Sequence, residues 1–197
     1  MENKQGVIIV SKIDDEEIRE QIWKIYEDSF AGKEVECVQN QKCYHRNSFM
    51  AALTDPDYLK YYMEIDGKVV AYMLSTGNLQ KASITYMNPE RYQHLFPEFL
   101  PDRIYYCTSL AVVPGMRSQR YFYRLMSAYL ENVLVNLKGM HAFDFSHETI
   151  PNLPAVLSKM GEKLFKEGKL PSRFVYTKVG AQEFGALVPE KPKDTTG

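Results

Sequence analysis

The sequence predicts an α/β fold: one domain with a mixed, twisted sheet of about six to seven strands and helices on both faces. Three observations predict it. Two strand-like runs, Tyr58 to Ile65 and Lys68 to Ser75, flank Asp66-Gly67, the dipeptide a type I′ hairpin turn prefers. A buried-strand run, Arg103 to Val113, closes on Pro114-Gly115 and leads into a helical pattern from Arg120 to about Asn136. Hairpins thus mix with β-α-β units, and one sheet must hold both antiparallel and parallel pairs.

The remaining elements follow in order. Gly6 to Lys12 is a β-branched run and reads as a first strand. Asp14, with Glu17 three residues on, has the pattern of a capping box. Ile18, Ile22, Ile25 and Phe30 then recur at near-helical spacing until Ala31-Gly32. Lys33 to Gln41 is polar and reads as loop. A second helix is expected from about Tyr44 to Leu53, stopped at Asp55-Pro56 because proline disfavours α geometry in the residue before it. The hairpin strands are apolar on both faces, as in a sheet covered on both sides. The stretch 77–102 is irregular, with strand character from Ala82 to Met87 and a short helix from Pro89 to Phe99. Phe122, Leu125, Met126, Tyr129 and Val133 recur at helical spacing. Gly139 ends that helix. His141 to Ser146 reads as a strand, Pro151 to Lys166 as a helix and Arg173 to Val179 as a strand. The domain is expected to span 1–188, with a frayed tail from 189 to 197.

Composition bounds the function. The chain has 197 residues, 45% of them hydrophobic, and a formal charge of −1. Such a chain buries a proper core, and near-neutrality argues against nucleic acid as a partner. No apolar run approaches the ~20 residues of a membrane span, and the polar start lacks a signal segment. A cytoplasmic domain is expected. Cys37, Cys43 and Cys107 lack CxxC spacing, and His45, His94, His141 and His147 form no HExxH-type motif, so no metal site is expected.

Chemistry concentrates between Ser109 and Met126. A buried strand runs into a tight turn, and an arginine-rich segment opens a long helix, whose N-terminus favours phosphate. Arg117, Arg120 and Arg124 lie three and four apart and share one side of the first turns, where they read either as a solvated helix face or as a phosphate clamp.

Here the chain resembles the GCN5-related N-acetyltransferase superfamily. Leu110-Ala111-Val112-Val113-Pro114 is similar to the family's strand ending in V-x-P. Arg117-Ser118-Gln119-Arg120-Tyr121-Phe122 falls where its pyrophosphate loop belongs, with Arg120 and Phe122 at two positions that usually carry small residues. Phe143-Asp144-Phe145-Ser146 and Asn152 resemble its fifth strand and the asparagine after it, and Met160-Gly161 its apolar-Gly pair. The resemblance implies acetyl-CoA or another acyl-CoA as co-substrate, held by Leu110, Ala111 and Val112, by Arg117 to Phe122 and by Asn152. It implies acyl transfer to an amine of a small molecule or peptide, with a strand N–H on the thioester oxygen. His147 and Glu148, together with Asp144, are the base candidates, and Tyr105, Tyr106 or Tyr123 the proton donor. The family's frequent acid tyrosine aligns with Leu157. Two alternatives stand beside this reading: a long-chain or carrier-bound donor, and a non-catalytic ligand sensor or protein-binding module. An exposed strand edge near the C-terminus would let two protomers pair as a homodimer.

Overall fold

A computed structural model describes residues 6–30, 44–82, 89–99, 102–116, 120–144, 152–178 and 184–189. Strand β1 is Val7–Val10, and helix α1 is Glu16–Phe30. The cap of α1 is Asp15 rather than Asp14. Its Oδ1 accepts the Glu17 and Ile18 N–H groups at 2.8 and 3.2 Å, while Asp14 pairs with Lys12 at 2.5 Å. The cap sits one residue later than the capping-box pattern requires, so Glu17 has no return role. Helix α2, Arg46–Thr54, ends before Pro56 with Asp55 extended (φ −77°, ψ 120°), as the proline demands.

Strands β2 (Tyr58–Ile65) and β3 (Lys68–Thr76) form the expected hairpin. Asp66 and Gly67 both have positive φ, 50° and 75°, the geometry of a type I′ turn. Ala82 lies in a short 3-10 turn rather than a strand, and the rest of the expected strand, 83–87, lies outside the described residues. Helix α3 is Pro89–Leu95. Strand β4 is Ile104–Val112, and helix α4 is Tyr121–Glu131. Helix α4 passes into a π-turn, Asn132–Asn136, where Leu137 N–H donates to Asn132 O at 3.0 Å. Strand β5 (Met140–Asp144), helix α5 (Leu153–Lys166) and strand β6 (Phe174–Lys178) follow. A further strand, β7 (Phe184–Pro189), stands where the sequence reading placed only the end of the domain.

All seven strands share one sheet in the order β1-β2-β3-β4-β5-β7-β6. Every pair is antiparallel except β4 with β5, which α4 connects. The period-2 pleat divides the hairpin between two cores. Tyr58, Tyr62, Tyr72 and Leu74 pack with α1 and α2, whereas Tyr61, Met63 and Met73 pack with α4 and α5. Tyr58, Tyr61 and Tyr62 are thus core residues, as their strand pattern suggests. A smaller cluster joins Tyr92 of α3 to Ile104, Tyr106 and Met140.

Two buried polar devices fix the layers. Lys60, 1% exposed, donates to the carbonyls of Ser11 (2.6 Å), Tyr58 (2.8 Å) and Asp55, and so ties the ends of β1 and α2 to β2. Burial pushes its pKa down to about 8. Asn132 Nδ2 donates to the Tyr61 hydroxyl at 2.7 Å and joins the π-turn to β2.

Candidate functional site

Strands β4 and β5 pair over only three residues: Ile104 with Met140, Tyr105 with His141 and Tyr106 with Ala142. Beyond them the strands part, while β4 stays paired to β3 as far as Val112. The register of β3 on β4 jumps from Ser75–Cys107 to Leu74–Ser109, so Thr108 is a bulge residue at the mouth of the gap. Above the bulge, Val113 N–H donates to Val70 O at 2.9 Å. Ladder bonds alternate along a strand. The Ala111 N–H therefore also faces β3, and the Leu110 and Val112 N–H groups point to the side of β4 away from β3. Among the described residues, no strand lies beside these two amides to accept them.

The chain then turns sharply. Pro114-Gly115, with Gly115 at φ 87° and Met116 N–H on Val113 O at 3.0 Å, forms a type II turn. Arg120 caps α4 in the left-handed region, at φ 66° and ψ 13°, with no side-chain capping bond. This is a position where the resembling family carries a small residue, and the backbone explains that preference: only glycine adopts such a φ freely. Tyr121 is buried in the core, and Phe122 packs half-buried against it. Arg117, Ser118, Gln119, His147 and Glu148 lie outside the described residues, and nothing is described of the Asp144 side chain. Asn152 caps α5 and is exposed, with no side-chain capping bond.

The tyrosines expected as proton donors differ in setting. Tyr106 is fully buried beside α3. Tyr105 is half-buried, on the α4 side. Tyr123, in the first turn of α4, has the Lys163 ammonium 4.7 Å from its ring centroid and a buried hydroxyl with no hydrogen-bond partner among the described residues. Leu157 is fully buried and apolar.

Sequence reading missed a polar cluster under the closed rungs. The Tyr129 hydroxyl lies 2.9 Å from His141 Nδ1 and 3.1 Å from Ser75 Oγ, and donates to Tyr105 O at 3.3 Å. Tyr129 and Ser75 are 0% exposed and His141 1%. Burial pushes His141 down to about 3, so the ring is neutral. A histidine between apolar strand residues is the only signal the sequence offers for this cluster. Cys107, half-buried beside the same core, takes part in no disulfide. Among the described residues, no group of three His, Cys, Asp or Glu stands close enough to hold a metal, and no helix is long and apolar enough to cross a membrane.

No protein-family model and no curated protein sequence matches the chain. Solved structures do match. The CoA-dependent acyl-homoserine lactone synthase BjaI, with SAM and isopentyl-CoA, superposes at TM-score 0.59 and 15% identity, covering 94% of this chain and 84% of that one. Diaminobutyrate acetyltransferase EctA from Paenibacillus lautus, with its substrate and coenzyme A, superposes at TM-score 0.52 and 10% identity, covering 94% and 96%. An N-acetyltransferase from Staphylococcus aureus does so at 0.53 and 14% identity, covering 92% and 96%. The chain has the GCN5-related N-acetyltransferase fold, an acyl-CoA N-acyltransferase architecture with one parted pair of parallel strands at its centre.

Proposed function

We propose that the protein is an N-acyltransferase that moves an acetyl or longer acyl group from acyl-CoA to an amine of a small molecule or peptide. The observation that carries this reading is the end of β4–β5 pairing after the third rung among the described residues, with the Leu110 and Val112 N–H groups on the side of β4 away from β3. A pantetheine arm has amides of its own and fits such a gap as a substitute strand. The α4 N-terminus, with Arg117, Ser118, Gln119, Arg120, Tyr121 and Phe122 at its approach, receives the phosphates, and Ala111 and Asn152 complete the donor site. The similar structures support the reading, since BjaI was solved with isopentyl-CoA and EctA with coenzyme A and a diamine.

In the reaction, the amine nitrogen forms a bond to the thioester carbon as the carbon–sulfur bond breaks. The carbonyl oxygen gathers charge at a gap-facing N–H of β4. His147 or Glu148 takes the ammonium proton before or during attack. Tyr123, whose hydroxyl has no hydrogen-bond partner among the described residues, gives a proton to the leaving thiolate, and the second proton shed by the acylated nitrogen restores its phenol.

Calorimetry with acetyl-CoA, and with longer acyl-CoA thioesters, tests the donor site. Saturable binding is expected, with slowed hydrogen exchange at the Leu110 and Val112 amides. Absence of heat with every acyl-CoA sinks the reading. Arg117→Ala should weaken binding by about 1–3 kcal/mol. His147→Ala should lower turnover roughly 100-fold, and Tyr123→Phe by on the order of tenfold or more.

One observation favours a second reading. Leu157 is fully buried and apolar where the family usually has its acid, which suits a binding module that keeps the pocket without turnover. Binding of acyl-CoA with no acyl transfer to any amine panel would establish it.

A further inference from the structure

At the end of the sheet away from the phosphate turn lies a cavity of about 520 Å3. Asp102 and Tyr105 line it from the start of β4, Leu59 from β2, Leu137 from beyond the π-turn, and Gln80 and Gln93 from the β3–α3 side. The closed rungs Ile104–Tyr106 stand between it and the gap described above. Its volume is that of an ordinary small-molecule site.

Charge sets the first requirement on a ligand. Among the described residues, no lysine or arginine lines the cavity. Nearby Arg103 donates to Glu98 O at 2.6 Å, which holds the guanidinium in place but leaves its charge, and that charge acts on Tyr105 in the opposite sense to Asp102. Asp57, on the rim, shares the Lys81 ammonium (2.9 Å) with Asp55 and is bonded by Asn78 at 3.0 Å. Asp102 has no hydrogen-bond or ion-pair partner among the described residues. Asp102 is exposed and, with Asp57, makes the described lining of the cavity acidic. It also acts on Tyr105, whose hydroxyl is held above its usual pKa first by burial and then by the Asp102 carboxylate.

The Tyr105 ring sets the second. A Cβ at Gly139 would lie 2.7 Å from one edge of the ring, and a Cβ at Gly77 3.3 Å from the other. Glycine at both places lets the ring sit wedged between two backbones, in fixed orientation at the cavity wall. An aromatic ring held in place and a carboxylate lining the same cavity favour cations. Leu59 and Leu137 add apolar surface, which a bare inorganic ion cannot use.

We propose that this cavity binds a small organic cation, a primary amine or guanidinium on an aliphatic stem, with its head on Asp102 and the Tyr105 ring and its stem on Leu59 and Leu137. The Gln80 and Gln93 amides accept the remaining head-group protons. An anion is repelled by the carboxylates of the described lining, and a neutral molecule gains nothing from their charge.

The site is tested by calorimetric titration of the full chain with butylguanidinium, n-butylamine and 1-pentanol at low ionic strength. Saturable single-site binding of the two cations is expected, and none of the alcohol. Asp102→Asn changes an exposed side chain and should weaken cation binding roughly fivefold or more. Tyr105→Leu should weaken it further, and circular dichroism will show whether that variant folds. Equal binding of the alcohol, unchanged affinity in Asp102→Asn, or no saturable cation binding overturns the proposal. Acetyl-CoA titration of the same Asp102→Asn sample reads the other site separately, so failure of either proposal is visible without the other.

Discussion

Arg120 shows how a sequence departure becomes a backbone fact. A left-handed conformation costs an L-residue about 1–2 kcal/mol, and Arg120 holds it at the first step of α4. Arg120→Gly removes that strain at a smaller entropic cost in the unfolded chain. The denaturant midpoint should rise, by about 0.5–1 kcal/mol of stability. Acyl-CoA affinity measured on the same variant separates two roles. If it also rises, the arginine obstructs the amides; if it falls, the guanidinium binds phosphate. His141 yields a second residue-scale prediction. Its folded pKa is about 3, against 6.5 for the free group. Between these values the unfolded chain binds a proton that the native state refuses, so stability falls as pH drops from 6.5 toward 3. Two units below 6.5, at pH 4.5, the loss is about 2.7 kcal/mol. His141→Gln keeps a partner for Tyr129 without titrating. Urea midpoints at pH 7 and 4.5 should therefore differ less in that variant than in the parent chain.

At the scale of elements, fit between neighbours decides more than propensity. Gly161 in α5 faces Phe174 in β6 so closely that a Cβ would lie 1.7 Å from the ring. Gly161→Ala must push the helix and strand apart, and a loss of about 2–3 kcal/mol is expected by urea unfolding. Phe174→Leu in the same chain should restore part of it. The Asp66-Gly67 hairpin, the β4 run with its Pro114-Gly115 turn, and the α4 periodicity were all legible, because each signal is local and chemically specific. Strand β7 was not. Phe184–Pro189 is six residues with a glycine and a terminal proline, and it exists because β5 and β6 pair with its two sides. The π-turn was equally hidden, since its pattern differs from a helix by one residue per turn. At the candidate site, the strand that carries Leu110 to Val112 was legible, because a motif marks its end. The cavity was illegible at Asp102 and Tyr105, which meet Leu59, Gln93 and Leu137 only once the sheet has formed.

For the whole molecule, the described sheet is two antiparallel leaves joined by a narrow parallel seam. One leaf is β1-β2-β3-β4, the other β5-β7-β6, and three residue pairs bind them directly. Helix α4 lies over the first leaf and meets α5 of the second within one shared core. A ligand that fills the gap bonds both leaves and favours the native state alone. Acyl-CoA at one hundred times its dissociation constant should add about 2.7 kcal/mol to unfolding stability. A thermal scan with and without the thioester reads this without knowledge of the acceptor.

The same seam divides the polypeptide at one place. Residues through Leu137 make the first leaf and α4, and residues from Gly139 make the second leaf and α5. No strand of either leaf is borrowed from the other segment. The protein can thus be cut at Lys138, a left-handed loop residue, into two pieces whose internal ladders are intact. Fragment complementation, with co-expressed halves recovering the native fold, becomes a property written into the strand order.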